Sequence, residues 1–124
     1  MEKKAVIALH NGLFFLHGDE DPLVIPEIKD EQIKPIRSEN CIVIFAQHAV
    51  DGMTEITLEY NENYFYNADL NKIFSDQISF GKLIIISDPE SNSILELETE
   101  HLIEKVEIYA DDIEYPTKIK IVVS

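Results

Sequence analysis

The chain has little of several residue types, and each shortage excludes a class of structure or function. Cys41 is the one cysteine among 124 residues, so no internal disulfide can form, and its place in the apolar run NCIVIFA predicts a small buried side chain. No apolar stretch approaches the roughly 18 residues that a membrane-spanning helix needs. The four glycines are too dispersed for a phosphate-binding loop. The start MEKKAVIALHNG does not resemble a signal peptide, so we expect a cytoplasmic protein.

Basic residues are also scarce. Ten Lys and Arg stand against 24 Asp and Glu, which gives a formal net charge of −14. The excess is concentrated in residues 51–116, which hold sixteen acidic residues and three lysines. Because nucleic acids and anionic membranes are bound through Lys and Arg, neither is an expected partner. A basic protein would be attracted to this chain, so the charge favours that class of partner.

What the sequence does contain is a strand pattern. Apolar residues recur mostly with period two, in eight or nine short segments separated by turns, and no long amphipathic helix lies between them. This pattern predicts an all-β fold, with one domain over residues 1–124 built as an antiparallel β-sandwich of about eight strands. A small closed β-barrel is the alternative. The proline-containing residues 18–40 are expected to form a long connection that is either functional or covers a sheet edge.

One dipeptide gives the strongest turn signal. Asp51-Gly52 lies between two apolar runs and predicts a two-residue hairpin turn. In that register Val50 opposes Met53, and His48 opposes Glu55. The paired strands then have one apolar face and one mixed face, as a half-buried antiparallel sheet requires.

Two other glycines mark changes of chain direction. Asn11-Gly12 predicts a type I′ hairpin between two short strands, with a bulge in one long strand as the alternative. Gly81 interrupts the apolar run from Ile78 to Ile86 and predicts a bulged or broken strand.

Residues that could carry chemistry form no recognisable site. The four histidines do not converge in the predicted strands, and GDEDP at 18–22 lacks the spacing of a calcium loop, so no metal or cofactor is expected. The serines lie in no nucleophile-elbow context, and we expect a protein that is not an enzyme. The aromatic cluster around Tyr60, Tyr64 and Tyr66 is either core or the lining of a sugar-binding face.

The acidic turns are the remaining candidate site. The stretch YADDIEYP at 109–116 and the turn DPE at 88–90 are expected to crowd one end of the sandwich. Their functional interpretation is a face for a cationic cleft, and the alternative is a solvated surface that maintains solubility. The predicted partner-binding residues are Asp88, Glu90, Tyr109, Asp111, Asp112, Glu114 and Tyr115.

Three segments together resemble a known family. They are ALHNGLFFLHGDEDP near the start, CIVIFAQ as a central strand, and ILELETEHLIEKVEIYADDIEYP before a final strand. Their layout resembles the competence protein J family, bacterial cytoplasmic inhibitors of a DNA-entry nuclease. The resemblance implies a β-sandwich that blocks a nuclease by binding, and it carries no contact residues across.

The sequence therefore predicts an acidic protein that binds and inhibits a basic protein, most naturally a nuclease, in a competence or immunity setting. A carbohydrate- or small-ligand-binding β module that uses the tyrosines at 60–66 is the alternative function. A structural or oligomeric domain without a ligand is a third. The sequence leaves the oligomeric state open.

Overall fold

A computed structural model of the protein describes residues 1–29, 33–62 and 69–124. These residues form the strands β1 (Glu2–Ile7), β2 (Leu13–His17), β3 (Ile36–Arg37), β4 (Cys41–Phe45), β5 (Thr54–Tyr60), β6 (Asn71–Ser87), β7 (Ser93–Ala110) and β8 (Lys118–Val123). They belong to one sheet in the order β1-β5-β8-β7-β6-β2-β4-β3, which is not closed into a barrel. The predicted all-β class and strand number are confirmed, and the barrel alternative is wrong.

The sheet folds over into a sandwich because β6 and β7 run through both of its halves. Their antiparallel pairing shifts register between Gln77 and Leu83, in addition to shifts nearer the ends of β6 at Lys72–Phe74 and Ile86–Ser87. Gly81 lies inside the shift with φ of +75°, a conformation that glycine adopts without steric cost. The predicted sandwich and the predicted bulge at Gly81 are both confirmed.

Side chains from both halves fill one hydrophobic core. The first half comprises β1, β5, β8 and the adjoining parts of β6 and β7, and the second comprises β2, β4, β3 and the remainder of those two strands. Alternate residues of each strand face inward, as the period-two pattern requires. The buried core includes Phe14, Leu16, Ile42 and Ile44 from one half and Ile56, Leu58, Ile119 and Ile121 from the other.

One strand pair is parallel, so the sheet is mixed and not purely antiparallel as predicted. β5 and β8 lie side by side, with Ile56 opposite Ile119 and Leu58 opposite Ile121. Parallel neighbours need a crossover connection, and the chain between these two strands, which contains β6 and β7, supplies it.

The predicted Asp51-Gly52 hairpin is wrong. β4 pairs with β2 and β3, whereas β5 pairs with β1 and β8, so the segment crosses between halves of the sheet. A turn of 3-10 helix precedes the glycine, and the His48 Nδ1 caps it by accepting a hydrogen bond from the Val50 N–H at 3.2 Å. The expected His48–Glu55 pair is therefore absent, and Glu55 lies 3.6 Å from the Lys4 ammonium.

The Asn11-Gly12 segment is a turn but not a hairpin. The Gly12 N–H donates to the Leu9 carbonyl at 3.0 Å, and Gly12 has φ of +66°. The strands on either side separate, because β1 joins β5 while β2 joins β4 and β6. The predicted strand pairing across this turn, and the alternative of one bulged strand, are both wrong.

A smaller apolar cluster lies on the outer face of the second half. Phe15, Cys41 and Val43 are buried there against Leu23 and Ile36. Part of the long connection therefore covers this face as well as supplying the edge strand β3. Cys41 is buried, as predicted, and this burial raises the pKa of its thiol to about 12.

Candidate functional site

Four connections meet at one end of the sandwich, which we call the loop end. Two hydrogen bonds link three of them: the Gly12 carbonyl accepts from Ala46 N–H at 2.9 Å, and the Pro116 carbonyl accepts from Gln47 N–H at 3.1 Å. The fourth connection is the β6–β7 turn, which shares a cavity of about 40 Å³ with the first. The loop end comprises residues 8–12, 46–53, 88–92 and 111–117.

The β6–β7 turn is stabilised by the side chain of Asp88. Its carboxylate accepts hydrogen bonds from the backbone N–H groups of Glu90 and Asn92, both at 2.9 Å, and from the Asn92 amide at 3.1 Å. Slight burial acts to raise the pKa of Asp88, but these hydrogen bonds outweigh it and lower the pKa. Asp88 is therefore ionised and engaged within its own turn.

The β7–β8 loop uses Asp111 in a similar way. Its carboxylate accepts from the Thr117 N–H at 2.9 Å, the Lys118 N–H at 3.1 Å and the Thr117 hydroxyl. Partial burial would raise the pKa of Asp111, but these donors together lower it. Asp111 thus holds the two ends of the loop together, while residues 112–115 between them are exposed.

Besides Asp51 and Asp111, the exposed carboxylates of the loop end are those of Glu90, Asp112 and Glu114. The Asp112 carboxylate accepts one weak hydrogen bond, from the Glu114 N–H at 3.3 Å. Among the described residues, no Lys, Arg or His nitrogen lies within 4.0 Å of these three carboxylates or of Asp88 and Asp111. Their negative charge is accordingly available to a partner.

The two predicted tyrosines differ in exposure. Tyr109 is only 2% exposed, and its hydroxyl donates to the Glu107 carboxylate at 3.1 Å. The Lys72 ammonium lies 6.0 Å from the Tyr109 ring centroid and covers the same outer face of β7. The burial of Tyr109 argues against its predicted place on the contact surface. Tyr115 is 65% exposed at the loop end, as its predicted role requires.

Sequence reasoning missed the apolar side chains of the loop end. Val50 is 83% exposed and Met53 is 53% exposed, and Ile113 is also exposed beside the acidic residues of the β7–β8 loop. The hairpin interpretation placed Val50 and Met53 opposite each other in paired strands. The signal for an exposed apolar surface in the sequence was the position of Val50 and Met53 directly beside an apparent turn, Asp51-Gly52.

Comparison with solved structures identifies the fold. No protein-family model and no curated protein sequence matches the chain. The crystal structure of ComJ, inhibitor of the DNA degrading activity of NucA, from Bacillus subtilis, matches with a TM-score of 0.65 over 98% of this chain and 93% of that chain. This chain has the fold of ComJ. Sequence identity is 14%, so the predicted similarity to competence protein J is confirmed at the level of the fold.

Outside the loop end, the ComJ-like fold has an open groove of about 1100 Å³. The groove lies beside the register shift at Gln77–Leu83, where β6 and β7 pass from one half of the sheet to the other and which we call the bend. Its lining is largely charged and polar and includes Tyr60, whose hydroxyl donates to Glu62 at 2.8 Å. The alternative ligand-binding function relied on Tyr64 and Tyr66, which lie outside the described residues.

A histidine and a serine meet on the outer face of the second half. The Nδ1 of His17 lies 2.7 Å from the Gly18 carbonyl, which can only accept, so Nδ1 carries the proton. The Nε2 then accepts from the Ser87 hydroxyl at 2.9 Å. Ser87 is buried, and its hydrogen bond with His17 links β2 to β6 beside their backbone pairing.

Neither a metal cluster nor a membrane-spanning helix is found in the described ranges. No group of three His, Cys, Asp or Glu side chains there is placed to hold an ion. No helix there is long and apolar enough to cross a membrane.

Proposed function

We propose that this chain binds and inhibits a basic nuclease and catalyses no reaction itself. The observation that carries the proposal is the fold similarity, over 98% of the chain, to a protein described as an inhibitor of the DNA degrading activity of NucA. The net charge of −14 supports a basic partner. The setting we propose is the bacterial cytoplasm, in competence or in immunity against a nuclease.

The proposed mechanism is occupation of the nuclease's DNA-binding groove. Such a groove presents Lys and Arg to phosphates, and carboxylates without nearby cations offer comparable charge. The exposed Glu90, Asp112 and Glu114 would enter first, while Asp88 and Asp111 keep their turns in shape. Relief of repulsion among these like charges would add to the attraction.

An inhibition assay tests the function directly. The purified chain is titrated into a reaction in which NucA of Bacillus subtilis degrades plasmid DNA, and in parallel into an extract of the organism that encodes the chain. We expect the rate of DNA degradation to fall with increasing chain concentration in at least one of the two reactions. The effect should weaken at 1 M salt, where the Debye length shrinks to about 3 Å.

The control is the same chain after heat denaturation, which keeps the charge but loses the fold. If native and denatured chain act equally, inhibition is a non-specific effect of a polyanion and the proposal fails. It also fails if neither nuclease activity changes at about 10 μM chain, a concentration that detects a Kd near 1 μM or below.

A further inference from the structure

The loop end presents exposed apolar side chains as well as acidic ones. Val50, Met53 and Tyr115, which we call the apolar tip, are among the most exposed large hydrophobic residues of the described chain. Single exposed apolar residues are common on protein surfaces, whereas grouped ones mark contact sites. Val50, Met53 and Tyr115 would therefore form a contact site if they lie together on one surface.

Gln47 joins the two segments that carry the apolar tip. Its side-chain amide donates to the Met53 carbonyl at 2.6 Å, and its backbone N–H donates to the Pro116 carbonyl at 3.1 Å. Gln47, Asp51 and Tyr115 together line a hollow of about 390 Å³. The 3-10 turn and the β7–β8 loop thus lie side by side and present one surface.

The turn that carries Val50 is held by several hydrogen bonds. The Ala49 N–H donates to the Leu9 carbonyl at 3.0 Å, and the Asp51 N–H donates to the His48 carbonyl at 2.9 Å. The His48 ring caps the same turn through the Val50 N–H. A side chain presented on such a fixed turn loses little conformational freedom when it is buried by a partner.

We propose that the apolar tip is the anchor of the inhibitory contact and inserts into an apolar hollow on the basic nuclease. This inference rests on the proposed function and identifies which residues supply the affinity. The same two segments carry three exposed acidic residues, Asp51, Asp112 and Glu114, which form the rim of the anchor. Their charge selects a basic partner, and it disfavours a second copy of this chain, which would bring a net charge of −14 against another −14.

The anchor and its acidic rim have separable kinetic effects. Long-range attraction between charges accelerates association, whereas the burial of anchor side chains slows dissociation. Truncating the tip should therefore raise koff and leave kon unchanged. Removing rim charges should lower kon. A surface held by charge alone would show no dependence of koff on the tip.

Methionine oxidation gives a test that needs no variant. The chain has two methionines, Met1 and Met53. They are 72% and 53% exposed, respectively. Met1 lies away from the loop end, because its carbonyl accepts a hydrogen bond from the N–H of Tyr60 at the far end of β5. The chain is treated with hydrogen peroxide, alone and with the nuclease that it inhibits in the DNA assay, and sulfoxide is measured by mass spectrometry. We expect at least a fivefold slower oxidation of Met53 in the complex and an unchanged rate at Met1.

Variants supply the second measurement. Val50→Ser and Tyr115→Ser are compared with Leu102→Ser, which truncates a side chain of similar exposure (57%) near the bend. Binding to the same nuclease is followed by surface plasmon resonance. Each tip variant should raise koff about tenfold with kon within twofold of the wild type, while Leu102→Ser changes neither rate.

The outcomes separate the two proposals. If the wild type inhibits the nuclease but Met53 is oxidised equally in the complex, or koff is unchanged in both tip variants, the anchor is overturned and the inhibitor function stands. Protection of Met53 by raising the concentration of the chain alone would assign the tip to a second copy and overturn the anchor. A wild type that inhibits no nuclease overturns both proposals.

Discussion

The backbone N–H of Thr117 donates a hydrogen bond to the carboxylate of Asp111 at 2.9 Å and so closes the loop between β7 and β8. Lys118 adds a second backbone donor to the same carboxylate. This relationship divides the acidic residues of the loop into two groups. Asp111 supports the loop from within, while Asp112 and Glu114 lie on its exposed part and carry the charge outward.

The division predicts different effects on stability at neighbouring positions. Asp111→Ala removes an acceptor of three hydrogen bonds and should lower the free energy of unfolding by about 1–2 kcal/mol. Asp112→Ala, one residue away, should change it by less than about 0.5 kcal/mol. Urea unfolding followed by circular dichroism measures both. Equal losses in the two variants would contradict a supporting role specific to Asp111.

The exposed residues of the same loop predict an effect on binding. Asp112→Lys together with Glu114→Lys should slow association with the inhibited nuclease by about tenfold or more and flatten its dependence on salt. The matched control is Glu100→Lys with Glu104→Lys, which makes the same change in net charge near the bend. Stopped-flow measurement from about 0.05 to 0.5 M salt distinguishes them, because a general charge effect would slow both variants alike.

Acid stability should depend on the two aspartates engaged in turns. Hydrogen bonds lower the pKa of Asp88 and Asp111 in the folded state relative to the usual Asp value of about 3.9. Their stabilisation is therefore complete above that value and is lost as the pH falls through the lower folded pKa. Thermal melts between pH 6 and 2 should show this loss. Asp88→Asn should make the decline shallower than in the wild type, and an equally steep decline would contradict the role of Asp88.

Two glycines at the bend, Gly81 within β6 and Gly18 packed against Phe80, should each be sensitive to substitution, for different physical reasons. At Gly18, an added Cβ would lie 2.5 Å from the Phe80 carbonyl oxygen, so Gly18→Ala should destabilise by about 1–3 kcal/mol through overlap. At Gly81 the space is open but φ is +75°, so Gly81→Ala should cost about 1–2 kcal/mol through conformation. Gly81→Asn should recover part of that loss, because Asn tolerates positive φ, whereas Gly18→Asn should not. Denaturant unfolding of the four variants tests the distinction.

The sequence was sufficient for the strands but not for their partners. Alternation such as Val106, Ile108 and Ala110 identifies a strand because one face must be buried, and all three are buried. The partners of β5 are β1 and β8, and β8 lies some sixty residues further along the chain, a choice that no local pattern encodes. The local dipeptide signal at Asp51-Gly52 accordingly predicts a hairpin that the structure does not contain.

The candidate site was predictable in its charge and not in its apolar part. The acidic turns at 88–90 and 111–114 can be recognised directly in the amino-acid sequence, and the structure brings both to the loop end. Tyr109 is buried, with the Lys72 ammonium 6.0 Å from its ring, and only the pairing of β6 with β7 brings these two residues together. The exposure of Val50 likewise depends on the failure of β4 and β5 to pair.

The position of β8 has a consequence for biosynthesis. This strand is translated after both β5 and β7, yet it lies between them in the middle of its half of the sheet. Until residues 118–123 leave the ribosome, the facing edges of those two strands have no neighbour, and the nascent chain exposes unpaired backbone groups that invite aggregation. Native structure in that half must therefore form after synthesis of the strand, and a ribosome stalled a few codons earlier would hold an incomplete sheet.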